Sequence, residues 1–215
     1  TEIYTLSLHD ALPIFKFIIL IIIFSIPFDF NYMYGRKIIK DITIHEHTIT
    51  RDTSFSFTHD SLTYKIGLEF TDINYNRVTL EIKKEDSLII ASDWPFSYPV
   101  FRIFTADADN NGTPDICLGT IKKTRFDPVL RKRPFFFKIK NGFIRPLWLG
   151  TTLGWDLIDF KPKIIEGKTY ITALMKSKKK YIIADYIWKG FGFRMKGIVS
   201  VHKDYSSSIN KFREY

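Results

Sequence analysis

From residue 42 onward, apolar and polar residues alternate with a period of two, in stretches rich in Ile, Val, Thr, Phe and Tyr. This is the period of a β-strand, whose successive side chains point to opposite faces. Turn signals such as Asn141-Gly142 and Glu166-Gly167 separate the stretches, and we find no helical stripe of ten or more residues. The pattern predicts strands at residues 42–50, 62–70, 77–84, 87–93, 100–106, 115–123, 134–140, 142–150, 168–176 and 180–188.

Part of this pattern recurs. Residues 113–123 (TPDICLGTIKK) resemble residues 168–178 (KTYITALMKSK), and a further hairpin follows each of them. Residues 62–93 fit the same unit more loosely. This repeated order of strands and turns is typical of propeller blades, in which four-stranded sheets bury their faces against their neighbours. Because so few blades cannot close a ring, we predict an all-β fold of antiparallel hairpins in a partial or open array of propeller-like blades. A β-sandwich is the alternative.

The residues before the alternating region differ from it in composition. Residues 1–14 (TEIYTLSLHDALPI) resemble a translated sequencing adapter, so we expect no function from them. Residues 15–28 (FKFIILIIIFSIPF) contain an apolar run of signal-peptide length, which predicts a signal peptide or membrane anchor and an extracytoplasmic location, periplasmic, secreted or at the cell surface. A buried core strand is the alternative. The predicted organisation continues with a linker (29–41), an all-β domain (42–200) and a C-terminal tail (201–215).

The chain is basic, with 32 Lys and Arg against 23 Asp and Glu and a net charge of +9. Basic residues cluster at Arg131–Arg133 and Lys176–Lys180, and we expect both clusters at solvated hairpin tips. We do not expect nucleic acid as a partner, because anionic glycans or a membrane surface suit an exported protein better. Contact with a membrane is expected only through residues 15–28.

The segment TADADNNGTPDICLG, residues 105–119, places acidic or amide side chains at alternate positions and then enters an apolar strand. The loop reads D-x-D-x-N-G-x-x-D, and its Gly112 is suited to the positive-φ conformation that reverses the chain. A hard cation such as Ca²⁺ takes six to eight oxygen ligands, and alternate side chains of a curled loop converge on one point. The loop is therefore a candidate metal site. The alternative is a metal-free turn in which the same residues cap their own backbone.

The loop differs from an EF-hand because Leu118 replaces the terminal Glu and a strand follows the loop. This strand-loop-strand form resembles the calcium loops of FG-GAP or VCBS repeats, found in integrin-type propellers and in many exported bacterial proteins. The resemblance covers residues 100–150. It implies one structural Ca²⁺, with a backbone ligand at Thr113 and side-chain ligands at Asp107, Asp109, Asn111 and Asp115. The equivalent segment of the second unit, IIEGKTY, has no carboxylate series, so we expect a single site.

Other candidate residues have simpler interpretations. His45 and His47 lie on one strand face at a spacing that can chelate zinc, but a site needs a third ligand such as His59 or His202, and a solvated strand face is favoured. Cys117, the only cysteine, is expected to be a small buried side chain. The four tryptophans, Trp94, Trp148, Trp155 and Trp188, are expected in the core rather than on a sugar-stacking surface.

We find no catalytic residues: no nucleophile elbow, phosphate loop or metal-hydrolase motif is present, and Asp156 and Asp159 are expected on opposite faces of a strand, where they cannot act as an acid–base pair. The sequence therefore favours an exported or surface-associated binding or scaffold module, stabilised by Ca²⁺, with a glycan or another surface protein as its partner. Two alternatives stay open: a glycan-active enzyme of the cell envelope, either a hydrolase or a lyase, and a purely structural domain.

Overall fold

The computed structural model describes four stretches of the chain, residues 45–47, 53–70, 75–150 and 152–215. All of them belong to one compact unit, Ile39–Tyr215. The predicted adapter, signal segment and linker, within residues 1–41, lie outside the described residues. Among the described residues, no helix combines the length and the apolar character needed to cross a membrane.

The described residues form antiparallel strands in three sheets and one short helix, which confirms the all-β prediction. The first sheet contains β2 (Ser54–His59), β3 (Leu62–Phe70), β4 (Tyr75–Lys84) and β5 (Ser87–Tyr98). The second contains β6 (Val100–Ala106), β7 (Asp115–Lys122), β8 (Arg131–Lys140) and β9 (Phe143–Leu149), and β1 (His45–His47) pairs with β6. The third contains β10 (Asp156–Ile165), β11 (Lys168–Ser177), β12 (Lys180–Trp188) and β13 (Phe193–His202).

Each sheet contains four consecutive strands in chain order, as in a propeller blade, and β1 adds a fifth strand to the second sheet. The two segments predicted to be related, residues 113–123 and 168–178, contain β7 and β11, which are the second strands of their four-strand series. The loosely matching segment, residues 62–93, falls on β3 to β5. The internal repeat therefore corresponds to equivalent places in successive sheets.

The second sheet lies between the other two and is buried on both faces. On β7, Ile116 and Leu118 pack in a cluster with the first sheet, whereas Cys117 packs in a cluster with the third. On β8, Phe135 and Phe137 alternate with Phe136 in the same way. Because both faces are covered, the strand interiors are continuously apolar instead of alternating. Cys117 is fully buried, as predicted.

The two ends of this stack are covered differently. The outer face of the first sheet carries polar residues, since apolar residues alternate with exposed ones along β2. The outer face of the third sheet is covered in part by helix α1 (Tyr205–Glu214), whose Phe212 packs against Leu174 and Ile183. Asp204 caps this helix by accepting the N–H of Ser207 at 2.7 Å. The segment predicted as a tail thus contains the end of β13 and a packed helix that the polar-apolar pattern did not reveal.

One of the two basic clusters was assigned wrongly. Lys176–Lys180 does form the hairpin tip between β11 and β12. Arg131–Arg133 instead begins β8, and Arg133 is the largest fully buried side chain among the described residues. Its guanidinium can be buried because Asp127 and three backbone carbonyls accept its hydrogen bonds.

Three of the four tryptophans pack against the buried clusters, as predicted. Trp94 lies against the cluster between the first two sheets, and Trp148 and Trp155 lie against the cluster between the second and third. Trp188 makes an edge-to-face contact with Phe193, with ring centroids 5.3 Å apart. Their burial is only partial, which is typical of such large side chains.

Candidate metal centre

The acidic loop connects β6 to β7 at one end of the second sheet. Ala106 and Asp115 are opposite each other in the ladder, so residues 107–114 form the whole reversal. Gly112 has φ of +89°, which confirms the positive-φ conformation predicted for it. Asn110 also has a positive φ, +60°, which asparagine tolerates better than most residues. Two positive-φ residues thus let the short loop fold back on itself.

The loop brings three of the five predicted ligands together. One carboxylate oxygen each from Asp107, Asp109 and Asp115 lies within 4.8 Å of the other two. Asp107 and Asp115 are buried, and Asp109 is half-buried. Three carboxylates this close repel one another strongly unless protons or a cation neutralise them.

Backbone N–H groups satisfy part of this cluster. Asp107 accepts from Asn111 and Gly112, each at 2.8 Å, through its two different oxygens. The Oδ2 of Asp115 accepts the N–H of Ala108 at 2.9 Å. The Oδ1 of Asp115 is buried and has no hydrogen-bond partner among the described residues. A buried carboxylate oxygen without a donor is unfavourable, and either a proton or a cation would give this atom a partner.

The environment of the loop raises the pKa of two of these carboxyls. Burial raises the pKa of Asp115 well above its usual range, and the negative charges of Asp109 and Asp107 raise it further. Burial also raises the pKa of Asp107, although the N–H groups of Gly112 and Asn111 act in the opposite direction. The protein alone therefore does not provide enough positive potential to hold the cluster fully ionised without cost.

Asn111 and Thr113, the other predicted ligands, are exposed at the tip of the loop. The Oδ1 of Asn111 accepts the backbone N–H of Thr113 at 2.8 Å and its hydroxyl at 2.5 Å. This arrangement is the Asx turn of the alternative interpretation. Coordination by Asn111 would require the Thr113 hydroxyl to turn away, because an amide oxygen has two lone pairs.

Asn110 has a role that sequence reasoning missed. Its side-chain amide donates to the carbonyl of Thr169 at 3.1 Å, and its Oδ1 accepts the N–H of Thr169 at 2.7 Å. Thr169 lies on β11, so this pair of hydrogen bonds ties the acidic loop to the third sheet. An asparagine in a tight loop could have been recognised from the sequence, but nothing there indicates its partner 59 residues away.

The other candidate residues do not assemble into a site in the described structure. His59 lies on the first sheet and His202 on the third, and the side chains of His45 and His47 are outside the described part of the molecule. Asp156 forms an ion pair with Arg131, and Asp159 forms a bidentate ion pair with Arg102. Among the described side chains, the carboxylates of the acidic loop are the one group of three His, Cys, Asp or Glu with metal-binding spacing.

Comparison with known proteins identifies no matching family model, no matching curated protein and no matching solved structure. The resemblance to FG-GAP or VCBS repeats therefore stays a prediction based on the residues of the loop. The case for a metal site depends on the geometry of the carboxylates.

Proposed function

We propose that the acidic loop binds one Ca²⁺ ion and that the ion stabilises the domain. The observation that carries this proposal is the buried Oδ1 of Asp115, which has no donor and belongs to a group of three close carboxylates. A divalent cation would give this oxygen a partner and remove the repulsion among Asp107, Asp109 and Asp115. A turn without metal explains the hydrogen bonds of Asn111 but leaves the Asp115 oxygen without a partner while that carboxyl is ionised.

The donor set favours calcium over other common metals. The group contains carboxylates only, whereas zinc sites in proteins mostly use Cys and His. Magnesium requires nearly ideal octahedral geometry and keeps most of its water. Calcium accepts irregular sets of six to eight oxygens, which the three carboxylates, loop carbonyls and water can supply.

We further propose that the chain is an exported or surface-associated binding or scaffold module. A surface loop of this kind, with three carboxylates, is suited to the millimolar calcium found outside cells. Asn110 and Thr169 join the loop to the third sheet, so the ion would also strengthen the packing of neighbouring sheets. A glycan or another surface protein remains the proposed partner.

The test is thermal unfolding of the chain in chelator and in millimolar Ca²⁺. For a dissociation constant near 0.1 mM and a few millimolar calcium, the ion adds about 2 kcal/mol to the stability. For a domain of this size that raises the midpoint by roughly 4–8 °C. We expect Asp109→Ala to abolish this rise, while Asp86→Ala, which changes an exposed carboxylate in the β4–β5 turn, keeps it. Equal midpoints in calcium and chelator would reject the site.

A further inference from the structure

The loop between β7 and β8, residues 123–130, carries large apolar side chains on its outside. Phe126 is 85% exposed, Leu130 61% and Val129 50%. They lie within five residues of one another on one connection. Grouped apolar side chains at the tip of a loop commonly mark a contact with a protein or a membrane.

The acidic side chain of this loop and two of its backbone carbonyls are turned inward instead. The buried guanidinium of Arg133 donates to the carbonyls of Lys122, Asp127 and Val129 at 2.9 to 3.2 Å. It also donates to the Asp127 carboxylate at 2.8 Å. Backbone groups that already have partners can approach an apolar phase at much lower cost than groups that depend on water. The carbonyls of Asp127 and Val129 thus point inward to Arg133, whose Nη1 alone has no hydrogen-bond partner among the described residues, while the apolar side chains lie outside.

The charge on the outside of the loop is positive. Lys123 and Arg125 are exposed, whereas the one acidic residue, Asp127, is held by Arg133 and Arg131. The chain as a whole carries a net charge of +9. Exposed apolar side chains flanked by Lys or Arg are the combination that binds the surface of an anionic bilayer.

We propose that the β7–β8 loop docks the domain onto an anionic lipid surface. Phe126, Val129 and Leu130 enter the boundary between headgroups and acyl chains, and Lys123 and Arg125 contact the lipid phosphates. A soluble polyanion would use the two charges but leave the apolar side chains in water, so lipid fits the whole surface better. This contact is separate from residues 15–28 and does not depend on the calcium loop.

A fluorophore at the tip of the loop tests the insertion directly. In Phe126→Cys the new thiol can be labelled selectively with an environment-sensitive dye, because Cys117 is fully buried. Phe191→Cys is the matched control, since Phe191 is 95% exposed on another turn. In chelator, vesicles of phosphatidylcholine with phosphatidylglycerol should shift the emission of the dye at residue 126 to the blue and leave residue 191 unchanged. The local dye distinguishes the loop from any binding through residues 15–28.

A charge variant tests the role of the basic side chains. Each Lys or Arg near an anionic surface contributes about fivefold to the binding constant. The double variant Lys123→Gln with Arg125→Gln should therefore raise the lipid concentration at half-maximal dye response of residue 126 by about 25-fold. The double variant Lys178→Gln with Lys179→Gln, at the β11–β12 hairpin tip, should change it little. Vesicles of phosphatidylcholine alone should give a much weaker response.

Several results would overturn the proposal. One is an unchanged emission at residue 126 on anionic vesicles that bind the chain, which would exclude insertion of the loop. A second is an equal blue shift at residues 126 and 191, which would indicate general adsorption. A third is binding of a sulfated polysaccharide through Lys123 and Arg125 without a response to vesicles, which would identify a glycan as the partner.

Discussion

Replacing Asp115 by Asn separates the two effects that we assign to this carboxylate. These are repulsion of Asp107 and Asp109 without calcium, and coordination of calcium when the ion is bound. The substitution keeps the shape of the side chain, and its amide oxygen can still accept the N–H of Ala108. The amide nitrogen would replace the buried Oδ1 and could donate to Asp107 or Asp109, whose carboxylates are close. In chelator, the variant should therefore be more stable than the parent chain. In calcium, it should lose a charged ligand.

The size of the stabilisation follows from the geometry. Two unit charges 4.8 Å apart repel by roughly 3.5 kcal/mol at an effective dielectric constant near 20. Asp109 is partly exposed, so solvent weakens the repulsion between Asp109 and Asp115. The repulsion cannot destabilise the chain by more than the cost of protonating Asp115. Protonating a carboxyl of ordinary pKa 3.8 at pH 7 costs about 4.4 kcal/mol. We expect Asp115→Asn to add about 1–4 kcal/mol to the free energy of unfolding in chelator.

Urea unfolding at pH 7, followed by circular dichroism, measures both states. In chelator the midpoint of the variant should exceed that of the parent, and in millimolar Ca²⁺ the parent should gain stability while the variant does not. Asp86→Ala, which changes an exposed carboxylate in the β4–β5 turn, is the control and should respond to calcium like the parent. A lower midpoint for Asp115→Asn in chelator would refute the reasoning, since the carboxylate would then be stabilising without an ion.

Three further substitutions test neighbouring features. Asn110→Gly keeps the positive φ but removes both hydrogen bonds to Thr169, so urea unfolding should show a loss of about 1–3 kcal/mol; an unchanged midpoint would contradict the tie between sheets. Gly112→Ala should cost about 1 kcal/mol through its φ of +89° alone, since the added methyl group meets no atom within 4 Å; a neutral result would refute the assigned conformation. The hydrogen bond from Arg133 lowers the pKa of Asp127. The stabilisation from this hydrogen bond is complete above the ordinary pKa of Asp, and it is lost as pH falls through the lower pKa of the folded state. Asp127→Asn should therefore unfold more easily than the parent at pH 7, with a difference that shrinks below about pH 4; a difference independent of pH would contradict this.

The strands that the alternation did not predict share a position in the fold. β2, β10 and β13 each lie at the edge of their sheet. Edge strands have one unpaired side, so they tolerate residues that weaken the pattern, such as Pro162 and the charged residues of β10. β2 alternates Ser and Phe, and its serines resemble a polar turn. Edge position is only part of the reason, since β5 and β9 are also edge strands and were predicted.

The acidic loop was predictable because its information is local. Spacing within residues 107–115 was enough to expect carboxylates that meet, and three of them do meet. The burial of Arg133 and the tie between Asn110 and Thr169 depend on partners brought together only by folding. Helix α1 was missed because few of its ten residues are apolar, and only Ser208 and Phe212 are buried.

A calorimetric titration of the chelator-treated chain with Ca²⁺ tests the central claim most directly. We predict saturable binding of one ion per chain in the submillimolar to millimolar range, with Mg²⁺ binding far more weakly. Asp109→Ala should lose the binding, and Asp86→Ala should retain it. Absence of saturable binding at millimolar Ca²⁺, or equal binding by both variants, would contradict a calcium site in this loop.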